Sequence, residues 1–142
     1  VDINIEEFVD DCHLRKLDGS ILVFRDSTKN PKWSFARLDE NDLVVEVAEK
    51  KAISDLATVG IYLFAKGSEF VDAAVEMMLQ NDRVNGEFYT CPVYNYMIAK
   101  GARIGIYEVA PESMKGLGTP EDLNHYLSSI ASKPSSDSPS LV

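Results

Sequence analysis

Between Asp18-Gly19 and Arg25 the chain reads Ser20-Ile21-Leu22-Val23-Phe24. An apolar run this short suits a buried strand rather than a helix. Such a strand must be covered, and the segments around it supply the cover. Ile3, Ile5, Phe8, Val9 and Cys12 recur at near-helical spacing with acids between them. This pattern predicts an amphipathic helix over residues 4–16. Asp26 to Lys32 is a polar loop. Trp33–Asp39 and Leu43–Ala48 read as two strands joined by the polar turn Asp39-Glu40-Asn41-Asp42, a hairpin. Thr58–Ala65 is rich in β-branched and aromatic residues and reads as a central strand.

Gly67-Ser68 then opens a helix with Ser68 as N-cap and Phe70, Val71, Ala74, Met77 and Met78 on its buried face. Asn81–Gly86 breaks it, and a second helix, interrupted at Pro92, carries Val93, Tyr94, Met97 and Ile98 inward. Lys100-Gly101 closes that helix with a basic last turn and a glycine. Arg103–Val109 is the last strand. Thr119-Pro120-Glu121-Asp122 starts the last helix, with Thr as N-cap and Pro at the first helical position. Strands and helices interleave, so the class is α/β, a Rossmann-like mixed sheet flanked by helices over residues 1–131. Residues 132–142 are rich in Ser and Pro, bury nothing apolar and read as a disordered tail.

Composition limits the partners. The net charge is −9, from 14 basic and 23 acidic residues, which repels nucleic-acid backbones. Small phosphorylated ligands stay open, because one lysine can dominate a pocket. No apolar run is long enough to span a bilayer, and no secretory signal opens the chain. Cys12 and Cys91 have neither disulfide-framework nor zinc spacing. Both are expected to be reduced and partly buried, in a cytoplasmic protein. The first residue is Val1, so the chain is expected to be a processed or truncated product, or one whose start is not represented.

No self-standing catalytic motif occurs, and no residue is assigned as catalytic or as a metal ligand. His13 and His125 sit among polar neighbours and read as surface histidines. The pair Glu49-Lys50 stands out, at the end of a strand, where α/β proteins place ligands. Glu accepts hydrogen bonds from hydroxyls and Lys neutralises phosphate, although an exposed Glu-Lys pair is also an ordinary strand end. Glu87 after Gly86 has two readings, a first-turn carboxylate favoured by a helix dipole or a ligand-binding group. Gly118-Thr119-Pro120 is a good helix start, and an anion site only if something binds there.

Five blocks, taken in order, change the weight of these signals: Trp33-Ser34-Phe35, Val47-Ala48-Glu49-Lys50, Asp55 to Tyr62 with Gly60-Ile61-Tyr62, Asn85-Gly86-Glu87-Phe88-Tyr89, and Gly116-Leu117-Gly118-Thr119-Pro120. Together they resemble the C-terminal, sugar-binding half of the sugar-1-phosphate nucleotidyltransferases, such as the glucose-1-phosphate thymidylyl- and uridylyltransferases. The match runs from Val1 to Leu127. It implies the nucleotide-diphospho-sugar transferase fold and the transfer of a nucleotidyl group from an NTP to a sugar 1-phosphate, with release of pyrophosphate, in sugar-nucleotide and polysaccharide biosynthesis. It implies that Lys50 holds the sugar phosphate and Glu49 the hydroxyls. Ser34 stands in the pocket-lining segment, Gly60 admits the sugar close to the backbone, and Glu87 and Thr119 support the pocket.

The resemblance also implies Mg²⁺, whose ligands are not in this chain. The family's Gly-rich triphosphate loop has no counterpart, and its first metal-binding Asp is expected just before Val1. Gly116 stands where the second would be, Ser34 replaces a Gly and Asp55 an Asn. No turnover is expected from this chain alone. A missing N-terminal half or partner chain would supply the nucleotide site, and exposed strand edges predict a homo-oligomer or a domain-swapped dimer. Two alternatives stand beside this: a non-catalytic regulatory or interaction domain of the same fold, and a fragment of a nucleotide-sugar-dependent glycosyltransferase. The latter wants an Asp-x-Asp motif, which the chain lacks.

Overall fold

A computed structural model describes residues 1–132. Ser132 is the C-cap of the last helix, and the rest of the expected Ser/Pro-rich tail lies outside the described residues. The chain runs α1 (Ile5–Leu14), β1 (Gly19–Arg25), β2 (Phe35–Leu38), β3 (Val44–Ala48), β4 (Leu56–Phe64), α2 (Gly67–Leu79), α3 (Val93–Ala99), β5 (Ile104–Glu108), a short 3₁₀ turn at Pro111–Ser113 and α4 (Pro120–Ala131). The five strands form one sheet in the order β3-β2-β4-β1-β5. β5 is parallel to β1 and the other pairings are antiparallel, so the sheet is mixed.

β1 is buried on both faces, as its apolar run requires, from Gly19 to Phe24. The two faces can be told apart by the glycines. A Cβ on Gly19 would lie 2.9 Å from Tyr94 of α3. A Cβ on Gly105 would lie 2.5 Å from Leu17, which follows α1. One face therefore packs on α2 and α3 through Ile21, Val23, Tyr94, Met97 and Ile104. On the other, Phe8 of α1 meets Tyr107 of β5 edge to face at 5.6 Å. A second apolar group, Phe24, Phe35 and Ala57 with Trp33, Val59 and Met114 against it, lies beside the β2 end of β4.

Local chemistry sets the element ends. Asn4 caps α1 by accepting from the Glu6 and Glu7 amides. In the β2–β3 turn Asp39 accepts from the Asn41 and Leu43 amides, and Asp42 takes a φ of 60°. α3 ends as expected at Lys100-Gly101. Gly101 has φ 85°, its amide donates to Ile98 and the Ala102 amide to Met97, which is a Schellman closure. Thr119 and Asp122 exchange side chain–backbone hydrogen bonds at the start of α4, with Pro120 at its first position. Asn95 of α3 bonds both the N–H and the C=O of Val47, satisfying a backbone at the outer strand β3.

Three expectations are corrected. Ser68 is not the N-cap of α2. The helix starts two residues earlier, at Gly67, with Lys66 as its cap and no side-chain capping bond. The Lys66 carbonyl already accepts from the Glu69 and Phe70 amides, which draws Ser68 into the first turn. The buried face of α2 is narrower than expected. Ala73 and Met77 are buried, with Phe70 and Ala74 packed beside them, whereas Val71 and Met78 are exposed. Only one stripe of the helix reaches the sheet; Val71, Val75 and Met78 form the next stripe round. Finally, no helix runs from Glu87 to Pro92. Asn85 and Gly86, both at positive φ (50° and 78°), make a two-residue turn in which Val84 and Glu87 exchange backbone hydrogen bonds. Asn-Gly selects that hairpin turn because its first residue tolerates and its second prefers left-handed φ. The helix begins at Val93, with Pro92 as its cap. Glu87 is thus on a hairpin arm, and its helix-dipole reading falls.

Candidate functional site

The site forms where two strands part. β2 runs beside β4 at Phe35↔Ala57, and the Thr58 amide donates to the Ser34 carbonyl at 2.8 Å. Beyond that point no β2 residue pairs with β4, while β4 continues to Phe64 along β1. The register of β4 on β1 shifts between Ile21↔Tyr62 and Val23↔Thr58, so β4 bulges through Val59, Gly60 and Ile61. Gly60 sits in that bulge at φ 90°. The divergence leaves a cavity of about 280 Å³ lined by Trp33, Ser34, Glu49, Gly60, Tyr62 and Cys91, among others. A second cavity of about 580 Å³, lined by Lys50, Met114, Gly116 and Thr119, shares Lys32, Trp33 and Val59 with it. The two make one crevice.

Of the residues singled out in the sequence, Ser34, Glu49 and Gly60 line the inner cavity, and Lys50 and Thr119 the outer. Glu87 lines neither, and reaches the crevice through Tyr89, whose hydroxyl donates to it at 2.8 Å. Glu49 follows β3 directly. Ser34 Oγ donates to its Oε2, and no described residue donates to its Oε1. Glu49 thus has a held oxygen and an open one, which suits a carboxylate that accepts from a ligand hydroxyl. Lys50 has left-handed backbone (φ 52°), an uncommon conformation for a non-glycine residue. Its Nζ donates to Tyr89 Oη at 3.0 Å, and among the described residues it makes no ion pair. That hydrogen bond raises its pKa, so the ammonium stays charged.

The floor of the inner cavity is polar but closed. Thr58 Oγ1 and Tyr62 Oη are hydrogen-bonded at 3.1 Å. Burial pushes the Cys91 thiol up to about 12, and raises the Tyr62 phenol and the Cys12 thiol as well. At pH 8 the thiolate fraction of Cys91 is on the order of 1 in 10⁴, so neither buried thiol is expected to react with iodoacetamide in the native protein, and both should react in 6 M guanidinium. Mass spectrometry of alkylated peptides checks this, and native labelling of Cys91 would contradict its burial.

Gly60 gives a second test. No protein atom lies within 4 Å of where its Cβ would sit, so space does not demand glycine there, but φ does. Gly60→Ala is expected to cost about 1–2 kcal/mol in urea unfolding through backbone strain alone. A neutral result would mean the bulge relaxes freely.

The outer cavity carries one cation already committed. Lys32 pairs with Asp122 at 3.2 Å and lies 4.5 Å over the Trp33 ring. Hydrogen bonds from Thr119 and then from Lys32 hold the Asp122 carboxyl below the usual range. The Mg²⁺ implied by the resemblance finds no ligand set: among the described residues no three His, Cys, Asp or Glu side chains cluster. Gly116 stands beside Asp122, whose carboxylate already serves Thr119 and Lys32.

Sequence reasoning missed Tyr89 as a site residue. The signal was in the chain: Asn85-Gly86 sends the residues after it back along the hairpin, toward the end of β3. Among the described residues, no helix is long and apolar enough to cross a membrane.

No family model matches the chain, and no curated protein does. Solved structures do. A nucleoside-diphosphate-sugar pyrophosphorylase from Vibrio cholerae RC9 is 29% identical, with a TM-score of 0.73 over 90% of this chain and 50% of its own. A glucose-1-phosphate thymidylyltransferase from Bacillus anthracis, in complex with sucrose, is 18% identical with a TM-score of 0.65, over 94% of this chain and 51% of its own. A CMP:2-keto-3-deoxy-manno-octonic acid synthetase complexed with CTP is 16% identical with a TM-score of 0.58, over 89% and 55%. The latter two likenesses are of fold alone. This chain spans about half the length of each, and its fold, an α/β mixed sheet flanked by helices, is that of sugar nucleotidyltransferases.

Proposed function

We propose that residues 1–131 are the sugar-phosphate-binding part of an enzyme that transfers a nucleotidyl group from an NTP to a sugar 1-phosphate, giving an NDP-sugar and pyrophosphate. One observation carries this reading. Glu49 and Lys50 leave β3 as neighbours into one crevice, an acceptor in its inner part and a cation without an ion-pair partner among the described residues in its outer part. A sugar 1-phosphate has the matching polarity, with hydroxyls at one end and a dianion at the other. Trp33 and Tyr89 line the inner cavity beside Glu49 and offer apolar ring surface to a pyranose. Gly60 leaves the backbone approachable, Ser34 orients Glu49, and Thr119 with Asp122 holds the far rim. Glu87 supports the crevice from behind Tyr89.

The nucleotide half belongs elsewhere in this reading. The structural relatives are about twice as long, and β4 offers a place for more sheet. Among the described residues, Tyr62 to Phe64 pair on the β1 side only, and the stretch from Val59 to Phe64 carries no charged residue to blunt an edge. We propose that a further strand, from the missing half or from a second copy, completes the sheet there.

The test is calorimetric titration of the chain with a panel of hexose 1-phosphates, glucose 1-phosphate first. Saturable one-site binding supports the reading. Binding by none of them would overturn it and favour the non-catalytic domain.

A further inference from the structure

We propose that Tyr89 is the positioning residue for Lys50, holding its ammonium at the rim of the crevice with the remaining N–H groups turned toward an entering phosphate. This rests on the reading of the crevice as a sugar-phosphate site. A lysine has three donors on a flexible four-carbon stem, and an exposed one wanders among rotamers. In this structure the Lys50 ammonium has a partner: it is hydrogen-bonded to Tyr89 Oη at 3.0 Å and lies 5.0 Å from the centre of that ring.

The direction of the hydrogen bonds matters. Tyr89 has one O–H, and it is given to Glu87 Oε2 at 2.8 Å. Its oxygen lone pairs are therefore free to accept from Lys50. The chain runs one way, Lys50 to Tyr89 to Glu87. A carboxylate bonded directly to Lys50 would neutralise the cation where a phosphate must bind. A neutral phenol between them fixes the position of the ammonium and leaves its charge available.

The hairpin under Tyr89 is held by its own contacts. The Val84 and Glu87 backbones exchange hydrogen bonds at 2.9 and 3.0 Å across the Asn85-Gly86 turn. The Arg83 guanidinium donates to the Gly86 carbonyl at 3.1 Å and lies 4.2 Å from the centre of the Phe88 ring. The hairpin thus sets where Glu87 stands, Glu87 orients the phenol, and the phenol sets Lys50.

The experiment is a double-mutant cycle on glucose 1-phosphate affinity, by calorimetry, with Tyr89→Phe and Lys50→Met, and with thermal unfolding of each variant as a check on the fold. Tyr89→Phe keeps the ring and removes only the hydroxyl. It is expected to weaken binding about tenfold at an unchanged unfolding midpoint, a loss within the range of one hydrogen bond to a charged group. In the Lys50→Met background the same change should have no further effect. Glu87→Gln keeps a carbonyl acceptor for Tyr89 and should lose less than about threefold. Wild-type affinity in Tyr89→Phe overturns this proposal and leaves the site reading standing. An equal loss in both backgrounds also overturns it, because Tyr89 would then act without Lys50. Wild-type protein that binds no hexose 1-phosphate overturns both.

Discussion

Lys50→Ala is expected to weaken hexose 1-phosphate binding by roughly ten- to a hundredfold, the range for losing hydrogen bonds to a charged group. The reasons are local. Of the lysines lining the crevice, Lys32 is paired with Asp122 and Lys115 donates to the Glu112 carbonyl at 2.8 Å. Lys50 gives one donor to a neutral phenol and stands next to Glu49 in the chain. Its pKa is raised, so it remains an ammonium across the neutral range. The side chain is exposed, so part of the attraction is screened, and wild-type affinity should fall as salt rises from about 50 to about 500 mM. The alanine variant should lose most of that salt dependence along with the affinity. Calorimetry at two ionic strengths measures both. Affinity unchanged in Lys50→Ala would remove Lys50 from the site and leave only the Glu49 half of the reading.

The largest effect on stability is expected from Tyr94→Ala, about 3–5 kcal/mol by the usual cost of truncating a buried aromatic. Tyr94 is fully buried on α3. Its ring stacks on Phe64 at 4.7 Å, and its hydroxyl donates to the Leu63 carbonyl at 3.0 Å, with the Ser20 carbonyl at 3.3 Å. One side chain therefore ties α3 to the β1–β4 pair that carries the crevice bulge. Tyr94→Phe keeps the stacking and should cost only about 1–2 kcal/mol for the carbonyl left without its donor. Urea unfolding of both variants separates the two contributions; equal losses would mean that the hydroxyl, not the ring, does the holding. Burial also raises the phenols of Tyr94 and Tyr62 and the thiol of Cys91. Each is neutral in the folded state and would ionise more readily once unfolded. Their contribution is fully present below about pH 8, and is lost as pH rises from there toward the folded-state values.

How far the chain could be read differs from element to element. Ser20–Phe24 is legible as a buried strand because four consecutive apolar residues leave no polar face. The Thr119 capping box and the Gly101 closure are legible because each needs only a few neighbouring residues. Ser68 misled because a helix start is decided by which carbonyls find amides, and Lys66 found two. Val71 and Met78 misled because hydrophobic spacing tells which residues share a stripe, not how wide a stripe the sheet will cover. The helix drawn through Glu87 failed for a different reason. Asn85-Gly86 is a hairpin signal, but with a single bridge, Val84 to Glu87, across the turn it lacks the flanking strand pattern that usually announces one.

What the sequence alone determined is the α/β class, the two-strand hairpin, the closure of α3 and the cap of α4, and the order in which Ser34, Glu49, Lys50, Gly60, Glu87 and Thr119 occur. These depend on periodicity and on turn chemistry acting over a few residues. The tertiary structure decided that β2 and β4 part beyond the Phe35–Ala57 pair, on the side of Ser34 and Val59, that the gap gathers Ser34, Glu49 and Gly60 into one cavity with Lys50 and Thr119 at its rim, and that Tyr89 stands between Lys50 and Glu87. Those are relations between segments far apart in the chain, set by strand register and by a bulge, and only the Asn85-Gly86 turn beneath Tyr89 leaves a trace in local composition.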